Sequence, residues 1–194
     1  MADRIVRTLT ALVLALALAA CVASTNPAGP ESEAVAEKGL VGTWPYAGTN
    51  DDAWSYIHVL SLEKNRLQIV AINELRGDWA VLGGYITQAG PRRVMSVRLV
   101  SGSDGVRSQV EKAGRADHPY SFLVYRLEGK DRLVLAQGFN AIQTALKKGA
   151  VSGEAVNGGL LIADEPGRIA AVFGAASETD LFTGSTVYVR VPAP

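Results

Sequence analysis

From Leu40 onward, apolar and polar side chains alternate with a period of two, the pattern of strands that bury one face. Such runs predict strands at 41–44, 55–63, 67–74, 78–88, 93–100, 120–128, 131–139, 159–163 and 185–191, the first ended or kinked by Pro45. Lys64-Asn65-Arg66 and Gly129-Lys130 separate neighbouring runs and suit hairpins, and Gly90-Pro91 is a turn signal. Gly83-Gly84, in the middle of a run, marks a bulge or a close backbone approach. The period changes at 141–148, where Asn140 is expected to cap a short helix whose last turn carries Lys147 and Lys148 before Gly149. A second short helix is expected near 167–176.

Strands that arrive in hairpins with few helices imply an antiparallel sheet. A sheet of about eight such strands closes on itself and leaves no exposed edge. The expected fold is therefore mainly β, an up-and-down barrel with one or two short helices. Its interior would be filled mainly by Val, Leu and Ala, which suits a cavity as well as a flattened, packed barrel.

Composition narrows the function classes. The 194 residues carry 19 basic and 19 acidic side chains, a balance that argues against nucleic-acid binding. The single cysteine excludes an intramolecular disulfide and a zinc site built on paired cysteines. That cysteine follows a short basic leader (Arg4, Arg7) and an uncharged run from Thr8 to Ala20. As a helix the run would span about 20 Å, less than the ~30 Å hydrocarbon core, so it reads as a signal peptide.

Leu18-Ala19-Ala20-Cys21 resembles the bacterial lipobox. The resemblance implies that the mature chain begins at Cys21 and is held to a membrane by acyl chains on that residue. Val22, rather than Asp, in the next position implies the outer membrane, facing the periplasm. Removing residues 1–20 takes away Asp3, Arg4 and Arg7, leaving 17 basic and 18 acidic side chains. Residues 21–39, with two prolines and no apolar period from 22 to 38, are expected to form the lipidated terminus and a flexible linker; 40–194 form the barrel domain.

Leu40-Val41-Gly42-Thr43-Trp44 resembles the opening of lipocalin-like (calycin) barrels, whose first strand carries a Gly-x-Trp signature. In that family a late arginine lies across the tryptophan and closes one barrel end. The resemblance implies that role for Gly42, Trp44 and Arg190.

Candidate chemistry is sparse. His58 shares one strand face with Tyr56 and Leu60, which suggests a position inside the barrel or a hydrogen-bonded structural role. His118 lies in an Ala-Asp-His-Pro loop and is expected to be solvated. Asn50-Asp51-Asp52 and Gly102-Ser103-Asp104-Gly105 read as turns, and Glu74 and Asp78 have no visible partner base. No catalytic, metal or cofactor site is expected. The aromatic residues Trp54, Tyr56, Trp79 and Tyr85, with His58, are candidates to line a barrel mouth, core packing being the alternative. Two functions fit. One is a membrane-anchored, periplasm-facing lipoprotein that holds a small apolar or amphipathic ligand. The other is a non-enzymatic interaction or inhibitor module for a protein of the cell envelope.

Overall fold

The alternation resolves, in a computed structural model that describes residues 22–51, 53–112, 119–156 and 159–192, into a barrel wrapped by an outer layer. In chain order the elements are β1 (Val22–Ser24), β2 (Gly42–Pro45), β3 (Tyr56–Ser61), β4 (Arg66–Asn73), β5 (Asp78–Ala89), β6 (Arg92–Gly102), α1 (Asp104–Lys112), β7 (Ser121–Glu128), β8 (Arg132–Ala136), α2 (Phe139–Lys147), β9 (Gly153–Val156), β10 (Gly159–Ile162), α3 (Pro166–Ala175), α4 (Glu178–Phe182) and β11 (Thr186–Val189). Eight strands form one antiparallel sheet in the order β2-β3-β4-β5-β6-β7-β8-β11. Its two edges meet. Tyr46 bridges Tyr188, the Ala47 N–H donates to the Val187 carbonyl (2.9 Å), and the Val191 N–H donates to that of Thr43 (3.0 Å). The seam removes most of the edge that an open sheet would expose.

The turns follow their residues. Lys64 and Asn65 take positive φ (57° and 59°) between β3 and β4. Gly90 and Gly129 do the same in the next hairpins. Gly84 answers a close approach: a Cβ there would press on the Ser96 carbonyl and lie 2.9 Å from the Val97 Cα. The pairing of β5 with β6 slips between Val81 and Leu82, which places the bulge at Val100, just before the glycine pair and not at it.

Two cores result. Inside the barrel are Trp44, Ile57, Val59, Leu67, Ile69, Ile86, Met95, Leu133 and Tyr188. Outside the barrel wall, helices α2 to α4 and the small sheet β1-β10-β9 cover a second core. There Ala89, Val94, Phe122 and Val124 from β5 to β7 meet Ile142, Ile162, Ile169, Phe173 and Leu181, with Phe122 and Phe173 edge to face at 5.3 Å. A strand covered on both faces loses its alternation, and residues 94–97 of β6 are all buried.

Three expectations are corrected. The segment from Val22 to Lys38 is a strap, not a flexible linker. Val22–Ser24 pair with Leu160–Ile162, the Ala28 N–H donates to Ser96 Oγ (2.9 Å), and the Val35 N–H donates to the Ile86 carbonyl (2.9 Å). Small residues let it lie flat: Ala23 and Ala28 are fully buried. The described residues hold four α-helices rather than one or two. Finally, α2 is capped by Gly138 at φ 61° and not by Asn140, because the helix starts two residues earlier than that cap requires; its end at Gly149 (φ 67°) is as expected. Residues 1–21 lie outside the described residues, and so do Cys21 and the leader.

Candidate functional site

One end of the barrel is closed by its own first and last strands. Leu40 ends a 3-10 turn that folds under the opening, and the indole N–H of Trp44 donates to the Leu40 carbonyl (2.8 Å). The Arg190 guanidinium stacks on the Trp44 ring at 4.3 Å and donates to the carbonyls of Val41 (3.1 Å) and Gly39. Gly42 is the residue this arrangement needs. Its φ is 141°, a backbone conformation that residues other than glycine rarely adopt, and the Arg190 guanidinium lies in ordinary contact distance above it. Above this plug, Val59, Leu67, Ile86, Met95 and Leu133 fill the lower half of the barrel, each at most 4% exposed.

The upper half is hollow. A cavity of about 470 Å³ opens at the end formed by the β4–β5 turn, α1 and the start of β11. Its wall is apolar: Ile57, Ile69, Ala71, Ala80, Leu82, Val97, Leu99, Leu123 and Leu135. Helix α1 lies across the mouth and adds Val106 and Val110, while Trp54, Phe139 and Thr183–Gly184 complete the rim. Polar groups are few and uncharged: Ser121, Gln137, Thr183, Thr186 and the Tyr188 phenol. Burial pushes that phenol up to about 12, so it stays a neutral hydrogen-bond donor at neutral pH. The volume lies in the ~300–1,000 Å³ range of ligand pockets, and the wall offers an apolar molecule burial at roughly 25 cal/mol per Å².

The five residues proposed to line the mouth divide. Trp54 does line the cavity. Tyr56 and His58 point the other way, because β3 alternates with Ile57 and Val59 turned inward. The His58 ring Nδ1 instead pairs with the Thr43 hydroxyl of the adjacent strand at 2.6 Å. Trp79 stands on the outer wall opposite Ile72 and is 40% exposed. Tyr85 is also on the outer wall, buried beneath the strap, where its hydroxyl donates to the Gly29 carbonyl (3.1 Å). The error has one cause. An aromatic on a strand suits a pocket lining or core packing, and in a barrel wrapped on the outside the outer wall offers a second place for the latter.

Other candidates find structural roles. Asp78 Oδ1 accepts from Ser103 Oγ (2.6 Å), and Ser103 precedes α1, so the supposed turn at 102–105 opens a helix. Asn73 donates to the carbonyls of Asp51 and Ala53 and holds the loop before β3. Asp52 and His118 lie outside the described residues. Helix α1 was missed in sequence because its mean hydropathy is low and only Val106 and Val110 mark its buried side.

Comparison with protein-family models, curated proteins and solved structures gives no match to this chain.

Proposed function

We propose that this chain is a lipocalin-like, lipid-anchored protein of the bacterial envelope that holds a small apolar or amphipathic molecule in the upper half of its barrel. The observation that carries the reading is a hollow of about 470 Å³ whose lining has no charged side chain among the described residues. A charged ligand would lose its hydration there without a counter-charge, at a cost of several kcal/mol. A neutral or tail-shaped molecule loses little and leaves its polar end at the mouth, near Gln137 and Thr183. The Trp44–Arg190 stack at the far end supports the likeness to lipocalins, since it joins the three residues that the resemblance singled out. The anchor rests on Leu18-Ala19-Ala20-Cys21, and the periplasmic face of the outer membrane on Val22 beside it.

The test is native mass spectrometry of the chain isolated from bacterial cells, with titration of the neutral fluorophore N-phenyl-1-naphthylamine. A retained mass lost on denaturation, or saturable one-to-one binding of the fluorophore, is expected. A bare protein that takes up no fluorophore would overturn the reading and favour a protein partner on the outer surface.

A further inference from the structure

Six large apolar side chains are exposed among the described residues, and Leu75, Trp79 and Val100 lie on one strip of the outer wall. Leu75 sits in the β4–β5 turn at the mouth, between Glu74 and Arg76, and is 73% exposed. Trp79 follows on β5, in register with Ile72, which is in turn paired with Tyr56. Val100 lies farther down, at the bulge beside Gly83. Leu62, Val189 and Val191, the other three, lie toward the closed end, where the cavity does not open.

We propose that this strip and the adjoining rim insert into the interfacial region of a lipid bilayer, so that the cavity opens against the membrane. The inference rests on the ligand-binding reading above and adds an orientation and a source for the ligand. Three observations carry it. The strip is continuous with the mouth of an apolar cavity, so a molecule dissolved in the bilayer passes from lipid to barrel without crossing water. Trp79 combines an apolar body with a polar N–H, the side chain favoured at membrane interfaces.

The third observation is where the chain enters the fold. Ser24 bridges Tyr120 antiparallel at the mouth end of β7, so Val22, two residues or about 6.6 Å back along β1, lies down the outer wall in the core that holds Phe122. Cys21 is one peptide bond beyond. With the strap docked on the barrel, acyl chains on Cys21 would hold this wall of the barrel close to the bilayer surface rather than at the end of a tether.

Charge selects the kind of surface. Among the described exposed residues of the rim, Asp51, Glu74 and Asp104 outnumber Arg76 and Arg107, so these residues give no cationic excess that would draw the mouth to anionic lipid. The contact is apolar, suited to zwitterionic headgroups and insensitive to salt.

The experiment uses the full chain produced in bacterial cells and mixed with phosphatidylcholine vesicles, with or without bromine on the acyl chains. Bromine quenches tryptophan only on contact, and Trp79→Phe isolates the Trp79 emission from buried Trp44 and cavity-lining Trp54. The expected result is strong quenching of the Trp79 component, unchanged by added salt and at least halved in Leu75→Asp. Unquenched Trp79 overturns the proposal, whether or not the protein is bound to vesicles. Trp79 shielded only when a second envelope protein is present also overturns it and assigns the strip to that protein. Intact mass reads the anchor separately. Acylated Cys21 with unquenched Trp79 removes the orientation alone, while quenched Trp79 without acylation removes the anchor alone. Fluorophore uptake in the absence of lipid reads the cavity independently of both.

Discussion

The guanidinium of Arg190 lies 4.3 Å from the ring of Trp44 while its N–H groups hold the carbonyls of Gly39 and Val41. One side chain thus ties the last strand to the first and to the turn beneath them. Trp44→Ala should cost about 3–5 kcal/mol, the range for a large aromatic removed from a packed core. Arg190→Leu keeps apolar contact but leaves two carbonyls unpaired, and should cost about 1–3 kcal/mol. Urea unfolding of both variants checks the order, and a loss for Trp44→Ala that is below that for Arg190→Leu would show that the plug is not a tryptophan-centred core.

Filling the cavity should separate binding from folding. Ala71 is buried in the upper barrel wall and lines the hollow. Ala71→Phe places a ring in empty space, so N-phenyl-1-naphthylamine binding should fall at least about tenfold, or ~1.4 kcal/mol, with the melting temperature unchanged or raised. His58→Ala, on the outer wall against Thr43, should leave fluorophore affinity unchanged. Equal effects from the two substitutions would place the ligand elsewhere.

The strap makes a prediction that a flexible linker does not. The amides of Ser24 and Val35 donate to Tyr120 and Ile86 at 2.8 and 2.9 Å, so hydrogen exchange should find them protected. Ala28→Asp would bury a carboxylate against Ser96 and should destabilise by about 2–4 kcal/mol. Rapid exchange throughout 22–38 would return this segment to the role of a tether.

Three phenols couple stability to alkaline pH. Burial raises Tyr188 to about 12 and is the largest cause of the upward shifts of Tyr85 and Tyr125. The folded protein keeps protons that the unfolded chain releases near pH 10, so this contribution is complete below pH 10 and declines as pH rises toward 12 and above. A spectrophotometric titration should show these phenols ionising later than the others, with unfolding accelerating over the same interval. Uniform ionisation of all tyrosines near pH 10 would contradict the burial of the three.

The barrel was legible because its strands obey one rule. β3 and β4 alternate cleanly between wall faces, and Gly42, Trp44 and Arg190 carry the closure in three residue types whose chemistry is specific. The outer layer was not legible, and neither was the strap. Ser24 and Ala28 are buried because of what they lie against, Tyr120 and Ser96, and no local period announces such contacts. The aromatic candidates failed for the same reason. Tyr85 and Trp79 share a strand face, yet one is buried under the strap and the other meets solvent. A strand's alternation tells which residues share a face, not what covers that face.

The position of β11 has a consequence for the order of folding. Between β8 and its partner β11 the chain makes α2, β9, β10, α3 and α4, and Arg190 reaches back across 151 residues to Gly39. Hairpins β3 to β8 can form locally and early, but the ring stays open until residue 190 has been made. Contacts of such long separation carry the largest loop-closure entropy and belong to the slow end of the folding reaction. A nascent or truncated chain that stops before β11 therefore presents β2 and β8 as two unpaired edges, and the closing strand acts as a timer on the whole barrel.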